Sequence, residues 1–344
     1  MTVKLFKPYV SWRARFYVFR VLLSDIIGEG EWVKKFENEF SKKFSLNNVV
    51  AVNSGTSALE LAYELAGIEN TDEVITHVLT CTATNLPLVR RGAKIIFADI
   101  DRDLNINIED VKKKITDKTK AIVFVHFGGN NRGLQELIEL GREHGITIIE
   151  DAAQAVGSDF FGQADFACVS LQAIKTLTSG DGGFLICKKK EDYEKAKRLR
   201  WFGYDRGEKQ RLGDTDLIEA GYKYHMNNIL AAIGLGNLRS INKVLKHRKK
   251  LQKIYRSYGL FAHSWLAGGF TENYEQTKQM FQDNDIEIGQ HHYRNDKYTV
   301  FGGKQTLPIM DTLDGKYFFV PYHFAVSEKM AHKIGKLYTS SCPK

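Results

Sequence analysis

The chain has 344 residues, a formal net charge of +8, 43% hydrophobic and 26% charged residues. That length predicts one large domain and a smaller one, 1–235 and 236–344, and the composition is ordinary for a soluble globular protein. No apolar run approaches the roughly 18–20 residues of a membrane span, and Met1–Tyr9 carries lysines but no apolar signal core, so the expectation is a cytoplasmic chain without a membrane partner.

From residue 48 to 188, short apolar runs alternate with helical patterns. The pattern predicts strands over Asn48–Asn53, Lys94–Ile100, Ala121–Phe127 and Ile146–Asp151. Between them it predicts helices over Ser57–Gly67 and Leu134–His144, and a short one beginning over Asp110–Ile115. Two further strands, Ala164–Leu171 and Gly183–Cys187, bracket Lys175. Alternation of this kind implies an α/β fold with a mostly parallel sheet covered by helices. Asn227–Tyr255 reads as one long helix leading into a small C-terminal α/β domain. Glu272–Asp283 is helical in pattern, followed by Ile286–Gly289 and the segment His291–Asp296.

The positive charge is spread over 112–114, 188–190 and 246–253. Runs like these are most often solvated helix faces, so nucleic acid is not an expected partner. The cysteines Cys81, Cys168, Cys187 and Cys342 show no C-x-x-C spacing, which leaves zinc and dithiol redox chemistry unsupported. Cys168 and Cys187 lie in apolar runs and read as buried thiols.

Three short motifs carry chemistry. Asn53-Ser-Gly-Thr-Ser57 follows a strand and opens a helix. Gly55 lets backbone approach a ligand, and the free N–H groups with the helix dipole favour a phosphate. By itself the turn is more often a plain N-cap. Asp151 closes the strand in Ile149-Glu-Asp-Ala-Ala-Gln154, where ligands of open α/β sheets bind; an aspartate there equally caps the next helix. Lys175 follows Ser170 and precedes Gly180-Asp-Gly-Gly183. An isolated lysine is nearly always a surface residue, but an amine, a carboxylate and a phosphate cradle are together what pyridoxal 5′-phosphate (PLP) requires.

In order and in detail these motifs resemble the DegT/StrS family of nucleotide-sugar aminotransferases, within the fold-type I PLP enzymes. The resemblance runs from about Gly28 to Leu238 and continues more weakly to the C-terminus. It implies that Lys175 forms the imine with PLP and shuttles protons, and that Asp151 holds the ring nitrogen protonated. It places Gln154 near the ring hydroxyl, and Gly55, Thr56 and Ser170 on the phosphate. Some relatives carry histidine in place of the lysine and dehydrate sugars; Lys175 favours transamination over that alternative. A catalytically silent regulatory relative is the other alternative, since fold does not fix function.

Two stretches depart from the family pattern. Relatives often place Phe or Trp where this chain has Cys81, to stack on the ring. In Gly221-Tyr-Lys-Tyr-His225-Met226, His225 stands where Asn or Arg is usual, in a segment that reaches the phosphate of the neighbouring subunit. The resemblance therefore implies a homodimer with shared active sites. It also places His291, His292, Tyr293 and Arg294 near the sugar-nucleotide, although the bland reading of that segment is structural and no third ligand supports metal there. Glutamate is the implied amino donor, and a modest positive field suits an anionic substrate.

Overall fold

The computed structural model describes residues 2–341; Met1 and Cys342 lie outside the described residues. Two helices, α1 (Trp12–Leu23) and α2 (Glu31–Phe44), precede the sheet. The alternating body follows as β1 (Val49–Val52), α3 (Gly55–Leu65), β2 (Glu73–His77), β3 (Leu79–Thr80), α4 (Thr82–Arg90), β4 (Lys94–Ala98), α5 (Ile108–Lys114), β5 (Thr119–Val125), α6 (Leu134–His144), β6 (Thr147–Asp151), β7 (Phe166–Ser170) and β8 (Gly183–Cys187). After α7 (Lys190–Leu199) and α8 (Arg206–Leu212) come α9 (Asn228–Leu238) and α10 (Ile241–Ser257). The C-terminal part holds β9 (Phe261–Ala262), β10 (Ala267–Phe270), α11 (Tyr274–Asp283), β11 (Tyr293–Arg294), α12 (Pro308–Leu313), β12 (Tyr317–Phe319) and α13 (Glu328–Ser341).

Seven strands form one sheet in the order β1-β8-β7-β6-β5-β2-β4. The run β7-β6-β5-β2-β4 is parallel throughout, while β8 is antiparallel to both β7 and β1. This is the mostly parallel, helix-covered α/β sheet the alternation predicts. Its inner strands are buried on both faces, and the period of two divides their side chains between separate cores. In β5, Ala121 and Val123 pack into one cluster with α3 residues, and Ile122 and Phe124 into another with α6 residues. In β8, Phe184 and Ile186 join Phe36 and Phe40 of α2, and Leu185 and Cys187 face the α3 side. Cys168 and Cys187 are buried free thiols.

A three-stranded sheet, β12-β10-β9, with α11 and α13 makes up the C-terminal part, with its own core around Tyr255, Phe281 and Phe318. The two-stranded pairing of β11 with β3 ties the His291–Asp296 segment to the large sheet's loops.

One expectation fails here. Asn227–Tyr255 is not one helix: α9 ends at Leu238, and Ser240, with φ −110° and ψ 2°, separates it from α10. α9 is apolar all round and sunk against α1 and α2, whereas α10 is amphipathic. The two must take different directions to bury such different surfaces.

Candidate active site

Each motif residue lies at the carboxyl end of a strand or on the loop that follows. Asp151 ends β6, Ser170 ends β7, and α3 begins at Gly55 immediately after β1. Ser54 caps that helix, its Oγ accepting from the Ser57 N–H at 3.0 Å. The remaining first-turn N–H groups have no intrahelical partner and point out of the helix end, a site suited to an anion. Gly55 is required there: a Cβ would come within 2.8 Å of the Ser170 Cβ. The helix start and the serine thus form one small-walled cradle, with Thr56 half-buried beside them.

Lys175 sits on the loop between β7 and β8, whose base is closed by pairing of Ser170 with Gly183. Gly183 has no room for a side chain, since a Cβ would sit 2.6 Å from the Val169 carbonyl and 2.7 Å from that of Ser54. Gly180 and Gly182 are required for a different reason, their positive φ of 89° and 124°. The lysine amine is held inward, 4.1 Å from the centroid of the Trp265 ring. Burial lowers its pKa to about 8, against the pull of Asp151 and Cys81, which favour the charged form. A lowered pKa supplies the neutral amine needed to attack an aldehyde near neutral pH.

Asp151 is buried and held from two sides. Thr84 donates its hydroxyl to Oδ2 at 2.6 Å, and the Ala153 N–H donates to Oδ1 at 3.1 Å. Thr84 is itself fixed, within 3.0 Å of the Thr80 hydroxyl and accepting from the Tyr63 hydroxyl through its carbonyl at 2.8 Å. Each Asp151 oxygen keeps a further lone pair for a cationic N–H. Glu150, one residue earlier, points to the other face and is saturated by His126 and the N–H groups of Gly162, Gln163 and Ala164. The two acids of the Glu-Asp pair therefore do different jobs, one structural and one facing the site.

Gln154 is locked. Its Oε1 accepts from the Gly128 N–H at 2.7 Å, and its Nε2 lies 3.0 Å from His292 Nε2. Burial keeps His292 far below its ordinary pKa, so the imidazole is neutral and accepts from the amide. One N–H of Gln154 Nε2 stays available. His291 lies beside this pair, its ring 4.2 Å from His292, 5.4 Å from Trp265 and 4.6 Å from Phe6. Burial lowers its pKa to about 4, with the Lys175 charge adding to the effect.

The structure thus brings Lys175, Asp151, Gly55, Thr56, Gln154, Ser170, His291 and His292 toward one region. It treats the other expected residues differently. Arg294 is buried and its guanidinium is engaged by Asp296 and Asp311, so it braces the segment and is not left free for a ligand. Tyr293 is exposed, with the Lys297 ammonium 4.0 Å over its ring. Cys81 is exposed at the start of α4. His225 is half-buried beside Trp201 and Phe202, with its buried Nδ1 unpartnered. Two residues at the site escaped the sequence reading. Thr84 lies three residues after Cys81, the position where relatives often place an aromatic, and that closeness is its only signal in the sequence. Trp265 lies in Ser264-Trp-Leu266, with no local signal at all. Among the described residues no three His, Cys, Asp or Glu side chains are grouped to hold a metal ion.

A half-buried lysine of lowered pKa, a buried aspartate at the end of a neighbouring strand and a helix-start cradle, set on this sheet, define a fold-type I enzyme of PLP. The chain belongs to the DegT/DnrJ/EryC1/StrS aminotransferase family, whose model matches residues 13–263. It is a PLP-dependent aminotransferase. GDP-perosamine synthase from Vibrio cholerae is 34% identical over 310 residues, covering 83% of each chain. The GDP-perosamine synthase of Escherichia coli O157:H7 is 30% identical over 297 residues, covering 81% of this chain and 80% of that one. The crystal structure of sugar aminotransferase CalS13 from Micromonospora echinospora superposes with a TM-score of 0.91 at 27% identity, over 99% of this chain and 100% of that one.

Proposed function

We propose that the chain transfers an amino group, with glutamate as donor, to a keto sugar carried on a nucleotide, for amino-sugar biosynthesis. The observation that carries this reading is the convergence of Lys175, Asp151 and the Gly55–Ser170 cradle on one strand-end face. That two relatives are GDP-perosamine synthases supports the substrate class.

Bound PLP supplies an electron sink that lets a carbon–hydrogen bond next to nitrogen ionise. The chain's residues do the rest. Gly55, Thr56 and Ser170 hold the phosphate by N–H and hydroxyl donors. Asp151 accepts the ring N–H and keeps that nitrogen protonated, aimed by Thr84. Gln154 offers its free amide N–H to the ring oxygen. Lys175 Nζ would anchor the cofactor and, once released as a free amine, would take up and return the proton that moves in each half-reaction. His291, His292 and Tyr293 form the wall toward the sugar, and Arg294 stiffens it.

The working unit in this reading is a cytoplasmic homodimer, without nucleic acid or membrane as partner, in which His225 serves the neighbouring subunit's phosphate. The large and small domains meet at 235/236. An apolar stripe on α1 supports the dimer: Trp12, Phe16, Phe19 and Leu23 recur every three or four residues and are all exposed in the single chain. Such a stripe is characteristic of an interface. The test loads the enzyme as its pyridoxamine form and follows loss of that absorbance with a panel of keto sugars. Nucleotide-linked keto sugars should discharge it and free keto sugars should not. Discharge by neither class, with glutamate still able to reload the enzyme, would overturn the substrate assignment.

A further inference from the structure

The basic stretch over 246–253 is only in part the solvated helix face its composition suggests. Lys246, Lys249, Lys250 and Lys253 are exposed, but Arg248 is 6% exposed. Its Nη1 donates to the carbonyls of Trp265 at 3.0 Å and Ser264 at 3.4 Å, and its guanidinium lies 5.0 Å from the Tyr322 ring centroid. Its Nε is buried and unpartnered. Among the described residues no carboxylate pairs with it. Burial lowers its pKa only to about 10, so the charge persists at neutral pH. A buried charge without a counter-ion is strongly unfavourable, and this one borders a cavity of about 380 Å³.

The cavity walls point to what fills it. Arg248, Gln252 and Arg256 recur every four residues on one face of α10 and line it together; Gln252 Nε2 and Arg256 Nε and Nη2 also donate to the Ala262 carbonyl, which leaves the charge of Arg256 and its Nη1 facing a ligand. Lys249 joins them from the rim, and His263, whose buried Nε2 is also unpartnered, lies across from them. The acidic groups present do not cancel this charge. Asp103 is taken up by Arg132 and Asn130. Asp159 pairs with Lys249 no more closely than 3.9 Å, and with its side chain 96% exposed the contact is screened by solvent.

We propose that this cavity is a second anion site, separate from the cofactor cradle, that takes the phosphate group of a small metabolite. Three cationic groups and a histidine set around one space suit a tetrahedral oxyanion with several acceptor oxygens better than a planar carboxylate. The site is joined to the catalytic one by a single layer of backbone. The Trp265 carbonyl accepts from Arg248 while the Trp265 ring lies against Lys175. The Trp265 N–H donates to the Gly128 carbonyl, and the Gly128 N–H donates to Gln154. An anion drawing on Arg248 thus acts on the loop that positions both the lysine and the glutamine, and occupancy regulates the enzyme.

The test uses the PLP-loaded enzyme, in which the cofactor's own phosphate fills the cradle. Inorganic phosphate and glycerol 3-phosphate are titrated by calorimetry, with succinate as the carboxylate control. Saturable binding of either phosphate, with succinate much weaker, is expected. Equal affinity for the two identifies a free phosphate site, and tighter binding of the ester identifies the phosphate end of a larger metabolite. Arg248→Met should weaken binding by about tenfold or more. Because that change removes a donor from two carbonyls, the rim variant Lys249→Glu provides a test on a side chain that is 66% exposed and makes only a loose contact with Asp159. It too should weaken binding at least several-fold, with the absorbance of the bound cofactor retained. Absence of saturable phosphate binding in the wild type, or an unchanged affinity in the rim variant, overturns the proposal.

Discussion

Lys175 Nζ lies 4.1 Å from the centroid of the Trp265 ring, and the Trp265 indole N–H donates to the carbonyl of Ile174, the residue just before the lysine, at 3.2 Å. One side chain therefore holds both the amine and its backbone. The indole removes water from the amine while its π-face still tolerates the charged form. The net result is a pKa lowered to about 8.

That shift predicts a pH-dependent stability in the cofactor-free protein. The folded state disfavours the ammonium, so from pH 8 downward it carries a constant cost relative to the unfolded chain. As pH rises from about 8 toward the ordinary 10.5, the unfolded chain alone still holds the proton, and the cost disappears. Lys175→Met removes the charge. It should therefore stabilise the cofactor-free protein by about 2 kcal/mol at pH 7, with the gap to wild type closing between pH 8 and 10.5. Denaturant melts across that range check it. The same variant, and Lys175→Ala, should lose transamination, and borohydride should fix PLP to the wild type only. Labelling at any other lysine would reject the assignment.

Asp151→Asn should cut turnover by about a hundredfold or more, because a neutral amide cannot hold the ring nitrogen protonated. Stability of the cofactor-free fold should change by about 1 kcal/mol at most, since the amide oxygen can still accept from Thr84. Thr84→Val deletes that hydroxyl while keeping the shape. It should weaken PLP binding less than Asp151→Asn does, as expected of a residue that only aims the carboxylate. Gln154→Ala should likewise be the milder change. PLP titrations of the four cofactor-free proteins rank them, and near wild-type turnover in Asp151→Asn would remove Asp151 from its role.

Cys81 is exposed at the N-terminus of α4, so Cys81→Phe meets no core and should leave the cofactor-free fold within about 0.5 kcal/mol of wild type. Its effect on PLP separates two arrangements. If another side chain already covers that face of the ring, Phe competes with it and weakens binding by about 1–3 kcal/mol, the outcome expected here. If the face is open, Phe should tighten binding. Cofactor titration into both proteins distinguishes them.

The motif residues were legible because their chemistry is local. Gly55, Asp151, Ser170 and Lys175 each sit in a run whose neighbours declare a strand end or a glycine turn, and the parallel sheet then brings those ends together. Trp265 was not legible because its contact with Lys175 spans 90 positions and has no periodic signature. The burial of Arg294 was not legible for the opposite reason: its partner Asp296 is only two residues away, but nothing in the sequence marks the pair as buried. The break between α9 and α10 falls at Arg239-Ser240, which contains neither glycine nor proline; the change from an apolar to an amphipathic helix was the available sign. Strand β2 was not legible because its five residues include only two aliphatic ones, Val74 and Ile75.

His225 supplies the sharpest test of subunit sharing. In the single chain its ring is half-buried beside Trp201 and Phe202, and burial lowers its pKa, so the ring is neutral and carries one N–H. If that N–H donates to the phosphate held by the neighbouring subunit, a carboxylate at this position would repel the phosphate, and His225→Asp should be nearly inactive although its own Lys175 is intact. Mixing Lys175→Ala chains with His225→Asp chains then places one complete site in each mixed dimer, with Lys175 from one subunit and His225 from the other. Random pairing makes about half the dimers mixed, each with one of two sites working, so activity should recover to about a quarter of wild type. Recovery must also require association: Phe19→Glu with Leu23→Glu, on the exposed stripe of α1, should yield monomers and abolish it. Light scattering, subunit exchange followed by mass, and turnover are the three measurements. A chain that turns over as a monomer, or mixed dimers that form and stay inactive, would show that His225 acts within its own subunit.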